Sequence, residues 1–367
     1  MVKSLPIRLA PLLRLLSQRV RGEGPHGLTQ ASSSLQSALL QIAMGGWASQ
    51  TIYVAAKLGI ADALSDGPKS CPEIAAITRA QSTSLFRLLR ALRSLKVVGD
   101  VEGGKFELTP LGRLLQAKRP GSLRAMVLTL GEIHYRAWGA LFHSVKTGAP
   151  AFPTVFGSRL FDYLDLDLDA GDTFHEAMSE VSALVSQAVL LAYPFSGIDV
   201  LADVGGGCGQ FLTTILQAHP AMRGVLVDTP GVIARAAARL ASHPCRPRCS
   251  LHPGDLLKAV PEGASGYLMS GVIHDWDDEH AIRILNNCGR VMAPNGKVLV
   301  VDMVLPTAGE PRFSALLDLN MLVMNGGRER TEEEFRRLFD AAGLRVTKLI
   351  PTLAPQWVIE GTRKPLR

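Results

Sequence analysis

The chain changes texture at residue 198, and that change constrains its fold more than any other feature. From there apolar, β-branched runs recur at IDVLADV, GVLVD, SLHPGD, GYLMSGVI, GKVLVVDMV, LRVTKLI and QWVIEG. Helical stretches separate the first five runs. That is the spacing of βαβ units, which place parallel strands in one sheet with helices on both faces. The last two runs are separated only by a short stretch containing Pro351 and Pro355. A parallel crossover needs about a dozen residues or more, so these two must pair as an antiparallel hairpin. The expectation over residues 194–367 is therefore an α/β domain with a seven-stranded, mostly parallel sheet.

With 367 residues the chain is too long for one ordinary core. Apolar residues make up 47% and charged residues 20%, a balance that excludes a disordered chain. Three segments are expected before the sheet. Residues 1–34 read as an extension, with Gly22, Gly24, Pro25 and Gly27 followed by a serine cluster. Residues 35–120 open with helical spacing at Leu35, Leu39, Ile42, Ala43, Trp47, Ile52, Ala55 and Leu58, and Gly59 is the stop. The stretch SCPEIAAIT then forms a short helix. Ser82 and Ser84 are expected to cap a second, with Leu85, Leu88, Leu89, Leu92 and Leu95 on one face. LKVVGDVEG and KFELT flank a glycine turn, which completes the outline of a winged helix. Such a domain either reads DNA through its second helix, here carrying Arg87, Arg90 and Arg93, or serves as a dimerisation module. Residues 121–193 read as helical, broken at Pro150 and Pro153. Their longest helix, TFHEAMSEVSALVSQAVLLAY, ends before Pro194.

Composition narrows the function classes. The net charge of +6 is mild, and a solvated basic surface explains it better than nucleic acid does. Five cysteines without framework spacing suit a reducing, cytoplasmic setting. Cys245 and Cys249, with His243 and His252, match no standard zinc spacing. HPCRPRC reads as a surface loop, and no metal is expected. No apolar run reaches the ~20 residues that span a bilayer. Arg8 and Arg14 interrupt the Leu-rich N-terminus, so no secretory leader is expected. Residues 5–20 read either as a frayed extension, the favoured reading, or as a basic amphipathic helix in weak contact with a membrane surface or touching a partner subunit.

The first strand of the sheet runs into Asp203-Val-Gly205-Gly206-Gly207-Cys208-Gly209. Glycines at a strand-to-helix turn let a ligand approach the backbone, at the rim where α/β sheets bind ligands. A dinucleotide loop would carry a third glycine at the place of Gln210. Here the pattern is D-x-G-x-G-x-G. An anionic Asp203 beside the loop repels a pyrophosphate and welcomes an ammonium or a sulfonium. Asp228 ends the second strand, where a carboxylate accepts ribose hydroxyls, and Asp255 ends the third, where it can meet an adenine amine.

His274 follows the fourth strand, on the same rim, in GVIHDWDDE. It is the residue type whose ordinary pKa of ~6.5 permits proton abstraction near neutrality. Two carboxylates can orient it: Asp302, ending the fifth strand, and Glu329, in the turn GGRERT before a helix starting near Thr331.

These residues resemble the small-molecule O-methyltransferases that include plant caffeic-acid and flavonoid enzymes, acetylserotonin methyltransferase, and bacterial polyketide and carotenoid enzymes. The motifs that carry the resemblance are LADVGGGCG, VLVDTP, HPGDLL, SGVIHDWDDEHAIRILNNCGRVMAPNGKVLVVD and DLNMLVMNGGRERTEEEF, and it spans residues 38 to 361. It implies a Rossmann-like class I methyltransferase domain, an N-terminal winged-helix-like dimerisation domain and a homodimer. It implies S-adenosyl-L-methionine as cofactor, held by Asp203, Gly205, Gly207, Asp228, Asp255, Leu256 and Ser270, with Trp276 against the adenine. His274 is then the general base, flanked by Asp302 and Glu329. Phe174, Met178, Asp275, Met321 and Asn325 line the substrate pocket. There are departures: Cys208 replaces a common Thr or Ser, Asp302 replaces the Glu of plant members, and Ser270 stands where plant members often have Lys. The activity implied is methyl transfer to a hydroxyl, phenolic before others, of a small apolar molecule. N- or C-methylation, or another S-adenosylmethionine-dependent reaction on the same fold, is the alternative, and a winged-helix DNA-binding regulator is the remote one.

Overall fold

The computed structural model describes residues 27–307 and 313–364. They divide into two units, one ending at Val127 and the other beginning at Leu128. The N-terminal stretch 5–20 lies outside the described residues.

In the first unit, α1 (Gly27–Ala43) begins inside the segment expected to be an extension. It is separated from α2 (Gly45–Leu58) by a break at Met44, where one continuous helix was expected. Gly59 ends α2 in the left-handed conformation, φ +69°, which its missing Cβ permits. A one-turn helix, Ile60–Ala63, leads to α3 (Cys71–Thr78) and α4 (Ser82–Ser94). Ser70 and Glu73 form a reciprocal capping box on α3. The cap of α4 is Gln81, whose side chain accepts from the Ser84 N–H, and not Ser82 or Ser84 as expected. The reason is register: Gln81 has extended backbone angles, whereas Ser82 is already helical. Leu85, Leu89 and Leu92 are buried, with Leu88 and Leu95 packed against them. Strands β1 (Lys69–Ser70), β2 (Val98–Val101) and β3 (Lys105–Leu108) form a sheet in the order β1-β3-β2, completing the winged-helix outline.

The second unit opens with short helices. One of them, Phe152–Phe156, takes Pro153 into its first turn, where proline is tolerated. Then comes α5 (Leu168–Ala192), capped by Asp167 and longer at its start than expected. The sheet follows: β4 (Val200–Val204), β5 (Arg223–Asp228), β6 (Cys249–Pro253), β7 (Gly266–Ser270), β8 (Lys297–Leu305), then β9 (Arg330–Thr331), β10 (Leu344–Pro351) and β11 (Gln356–Arg363). The order across the sheet is β10-β11-β8-β7-β4-β5-β6. β4 to β8 run parallel, β11 lies antiparallel to both β8 and β10, and the short β9 pairs with the far end of β8. This is the expected seven-stranded sheet with its hairpin. Helices α6 (Gln210–Ala218), α7 (Pro230–Leu240), α8 (Asp278–Val291), α9 (Phe313–Met324) and α10 (Glu332–Ala341) complete the unit. One apolar core packs Tyr267, Ile284, Val300 and Phe339; the other packs Val189, Leu212, Leu226 and Val358. Strands buried on both faces explain why β7 and β8 read as continuous apolar runs.

Two expectations need correcting. HPCRPRC is not merely a surface loop: Cys245 and Cys249 are buried in the second of these cores. Arg248 between them donates to the carbonyls of Leu216 at 2.7 Å, His219 at 3.2 Å and Met222 at 2.6 Å, satisfying the C-terminal end of α6. Asp302 does not end its strand, because β8 continues to Leu305. It still lies on the rim, because β7 stops at Ser270, opposite Val301.

Candidate active site

The chain order reverses on either side of β4, whose neighbours are β5 and β7. Beyond its end the glycine loop is built by necessity. A Cβ on Gly205 would stand 2.7 Å from Val272 Cγ2, and one on Gly206 would stand 2.6 Å from Asp203 Cγ. Gly207, at φ +57°, has open space where a side chain would go. Asp203 therefore lies beneath the loop rather than beside it. Burial, followed by the charge of Asp228, pushes its pKa up to about 7. Its Oδ2 is sealed from solvent without a partner. Asp228 Oδ2 accepts from the Gly207 N–H at 2.9 Å, and Oδ1 from the Thr229 N–H at 2.7 Å.

Around this loop the other expected cofactor residues take different stations. Leu256 is half-buried and reaches within 3.5 Å of the Gly205 Cβ position. Asp255 lies just past β6, turned to Lys258 at 3.3 Å and half exposed. Ser270 is half-buried at the end of β7. The Trp276 ring stacks on His280, centroids 5.5 Å apart.

His274 lies in a single 3-10 turn, Ile273–Asp275, immediately beyond β7. Its Nδ1 is 2.7 Å from Glu329 Oε1, and its Nε2 is 3.9 Å from Asp275 Oδ1. Asn325 Nδ2 donates to that same Asp275 oxygen at 2.6 Å. Asp302 Oδ1 accepts from the Gly271 N–H at 3.1 Å, which leaves Oδ2 without a partner; Glu329 Oε2 is likewise unpartnered. Burial draws His274 towards its neutral form, but Asp302, Glu329 and Asp275 outweigh it and hold the pKa at about 10. The ordinary pKa assumed from sequence is thus corrected. Burial raises Asp302 above the usual carboxylate range, against the pull of His274. Buried acidic oxygens without partners, on the rim that carries the glycine loop, make a site suited to a cation.

A model of the O-methyltransferase domain matches residues 138–345, and one of the O-methyltransferase dimerisation domain matches residues 40–118. The chain belongs to the S-adenosylmethionine-dependent O-methyltransferase family. The phenazine O-methyltransferase PhzM of Lysobacter antibioticus is 42% identical over 326 residues, which is 89% of this chain and 96% of that one. The 8-amino-8-demethylriboflavin N,N-dimethyltransferase of Streptomyces davaonensis is 36% identical, over 82% and 87%. The crystal structure of human N-acetylserotonin methyltransferase in complex with S-adenosylmethionine superposes with a TM-score of 0.84 at 28% identity, covering 90% of this chain and 97% of that one.

Within this methyltransferase domain, α9 organises the reacting corner. Its Asp318 accepts from the Glu329 N–H at 2.8 Å, and Asn325, just past its end, holds Asp275. Met321, also on α9, is buried. Phe174 and Met178 are half-buried on α5, Phe174 meeting Phe161 edge-on. Three determinants escaped sequence reasoning. Arg330 is 1% exposed and donates to the carbonyls of Ile273 (3.1 Å) and Trp276 (2.9 Å) and to Asp278 (2.7 Å), clamping the turn that carries His274. Gly327 lies so close that a Cβ there would stand 2.1 Å from the His274 carbonyl oxygen. The repeated glycines of NGGRERT were the available signal for both. The third is the group of His134, Trp138 and Asn320, which no motif marks.

Proposed function

We propose that this protein transfers the methyl group of S-adenosylmethionine to a hydroxyl, phenolic in character, of a small and largely apolar molecule, with His274 as general base. The observation that carries the proposal is the 2.7 Å contact between His274 Nδ1 and Glu329 Oε1. It fixes the ring so that Nε2 is the nitrogen left to meet a substrate proton. An aromatic ring nitrogen attacking through its lone pair has no proton to lose, so a base with its own orienting acid favours hydroxyl over ring-nitrogen methylation.

The open space at Gly207 admits the cofactor's amino-acid end, and the buried acid of Asp203 beneath the loop favours its cationic charge. In this reading Asp228 takes the ribose, and Asp255, Leu256, Ser270 and Trp276 take the remainder. When bound, S-adenosylmethionine supplies an electrophilic methyl group on a positively charged sulfur. The three carboxylates favour the protonated form of His274, so it holds a proton taken from a hydroxyl more firmly than an ordinary imidazole would; the like charge of the bound sulfonium lowers that pKa and frees the ring to accept the proton. Phe174, Met178 and Met321 supply apolar walls, and Asp275 and Asn325 a polar edge. The matched dimerisation domain supports a homodimer rather than a DNA-binding role.

Replacing His274 with Ala should lower turnover by ~10²–10⁴-fold while calorimetry shows nearly unchanged affinity for S-adenosylhomocysteine. Retained turnover on a hydroxylated aromatic would remove the base from the mechanism. Absent cofactor binding by the folded wild-type protein would remove the mechanism itself.

A further inference from the structure

Away from the reacting corner, the structure buries a second polar group that methyl transfer does not use. Trp138 Nε1 lies 2.8 Å from Asn320 Oδ1, and His134 Nδ1 lies 3.1 Å from the same oxygen. An indole nitrogen only donates, so the Asn320 atom facing it must be the carbonyl oxygen. That oxygen only accepts, so His134 Nδ1 carries the hydrogen. The other ring nitrogen, Nε2, is therefore a bare lone pair. It is sealed from bulk solvent and has no partner among the described residues. Burial holds the ring's pKa down at about 4, against the raising effect of Asn320, so the lone pair persists at neutral pH.

An unpartnered buried polar atom costs about 1–3 kcal/mol, so a native structure that keeps one calls for an explanation. The surroundings supply it. Asn320 is the neighbour of Met321 on α9, the helix that fixes Glu329 through Asp318. Ile133 and Trp138, on either side of His134, pack in one cluster with Phe174 and Met324. Through Ile133, Trp138 and Asn320, His134 thus adjoins the helices that carry Phe174 and Met321, two residues proposed to hold the substrate. It ends a π-helical turn, Leu130–His134, a rare geometry frequent at functional sites. Thr129, just before that turn, holds a second buried oxygen without a partner.

We infer that His134, fixed in one tautomer by Asn320 and Trp138, is a specificity-determining residue of the substrate pocket, accepting a hydrogen bond from a second donor group on the substrate. This rests on the proposed transfer to a hydroxyl and narrows its substrate class. The substrate carries, besides the methylated hydroxyl, a second hydroxyl or N–H elsewhere on its framework. A site that presents a buried lone pair rejects an analogue lacking the donor, because its own atom then stays unpaired. An ether or a carboxylate at that place gives His134 nothing to accept.

The test compares dihydroxynaphthalenes with their monomethyl ethers, each of which keeps one free hydroxyl. The wild-type enzyme is expected to prefer at least one diol over its ether by tenfold or more in kcat/KM. His134→Leu should bring that ratio close to one, chiefly by raising KM for the diol, with S-adenosylhomocysteine binding unchanged. His134→Gln, which keeps an accepting oxygen, should restore part of the preference. An unchanged ratio in His134→Leu overturns the inference. A readout independent of turnover is nitrogen NMR of histidine-labelled enzyme in its S-adenosylhomocysteine complex. The diol should shift the His134 Nε2 resonance, and the ether should leave it in place. If both shift it, or neither does, the inference fails. If S-adenosylhomocysteine itself does not bind, the methyl-transfer reading fails instead.

Discussion

His274 sits under opposed influences. Burial disfavours its charged form, whereas Asp302, Glu329 and Asp275 favour it, and the second influence prevails. The free site therefore holds a proton at neutral pH. A sulfonium bound beside it is a like charge and lowers that pKa, so the complex binds fewer protons than the free enzyme. By linkage, binding releases a proton, and affinity for S-adenosylmethionine rises with pH up to about 10. S-adenosylhomocysteine has no charge on sulfur and should show a flatter profile. Calorimetry of both ligands in buffers of different ionisation enthalpy checks this: equal proton release for the two would refute it. His274 was legible in the sequence as the candidate base because it follows a strand end within a specific motif. Its basicity was not, because Asp302, Asp275 and Glu329 converge on it from separate segments, and only the fold brings them together.

At the scale of elements, what the sequence disclosed followed periodicity. Seven strands and the closing hairpin were readable because buried parallel strands are continuous apolar runs and a short connection forbids a crossover. Caps and breaks were less readable. The break at Met44 lies within an unbroken helical pattern, and Gln81 caps α4 although two serines stand nearby. The turn NGGRERT was read only as a place for Glu329, yet it closes over the His274 turn. Gly327→Ala would force a Cβ against the carbonyl of His274 and the backbone of Asp275. Because a misplacement of about 1 Å costs ~10²-fold in rate, kcat should fall by about that factor with circular dichroism unchanged. Arg330→Met leaves the Ile273 and Trp276 carbonyls without their donor. Urea unfolding should show a loss of about 3 kcal/mol, together with reduced kcat. A variant as stable and as active as the wild type would show that this clamp is dispensable.

At the scale of the whole molecule, the first unit carries an apolar stripe that stands exposed among the described residues. Leu35 and Leu39 on α1 are each 68% exposed, Ile42 is 69% exposed, and Trp47 on α2 is 71% exposed. These are among the residues whose spacing marked this stretch as an amphipathic helix. The sequence therefore showed that the stripe calls for a cover, but not what supplies it. Contiguous exposed apolar surface on a soluble protein marks an interaction site, and this stretch runs into the region that matches an O-methyltransferase dimerisation domain. A second copy of the same chain is the cover this match supports, and an isologous pairing buries the stripe twice over. Replacing Leu39 and Trp47 together with Glu should shift the protein from dimer to monomer in light scattering after gel filtration. Each position is already exposed in the single chain, so the fold of either unit should survive, as far-ultraviolet circular dichroism would show. A wild-type protein that runs as a monomer, or a double variant that remains a dimer, would place the dimer contact elsewhere or deny it.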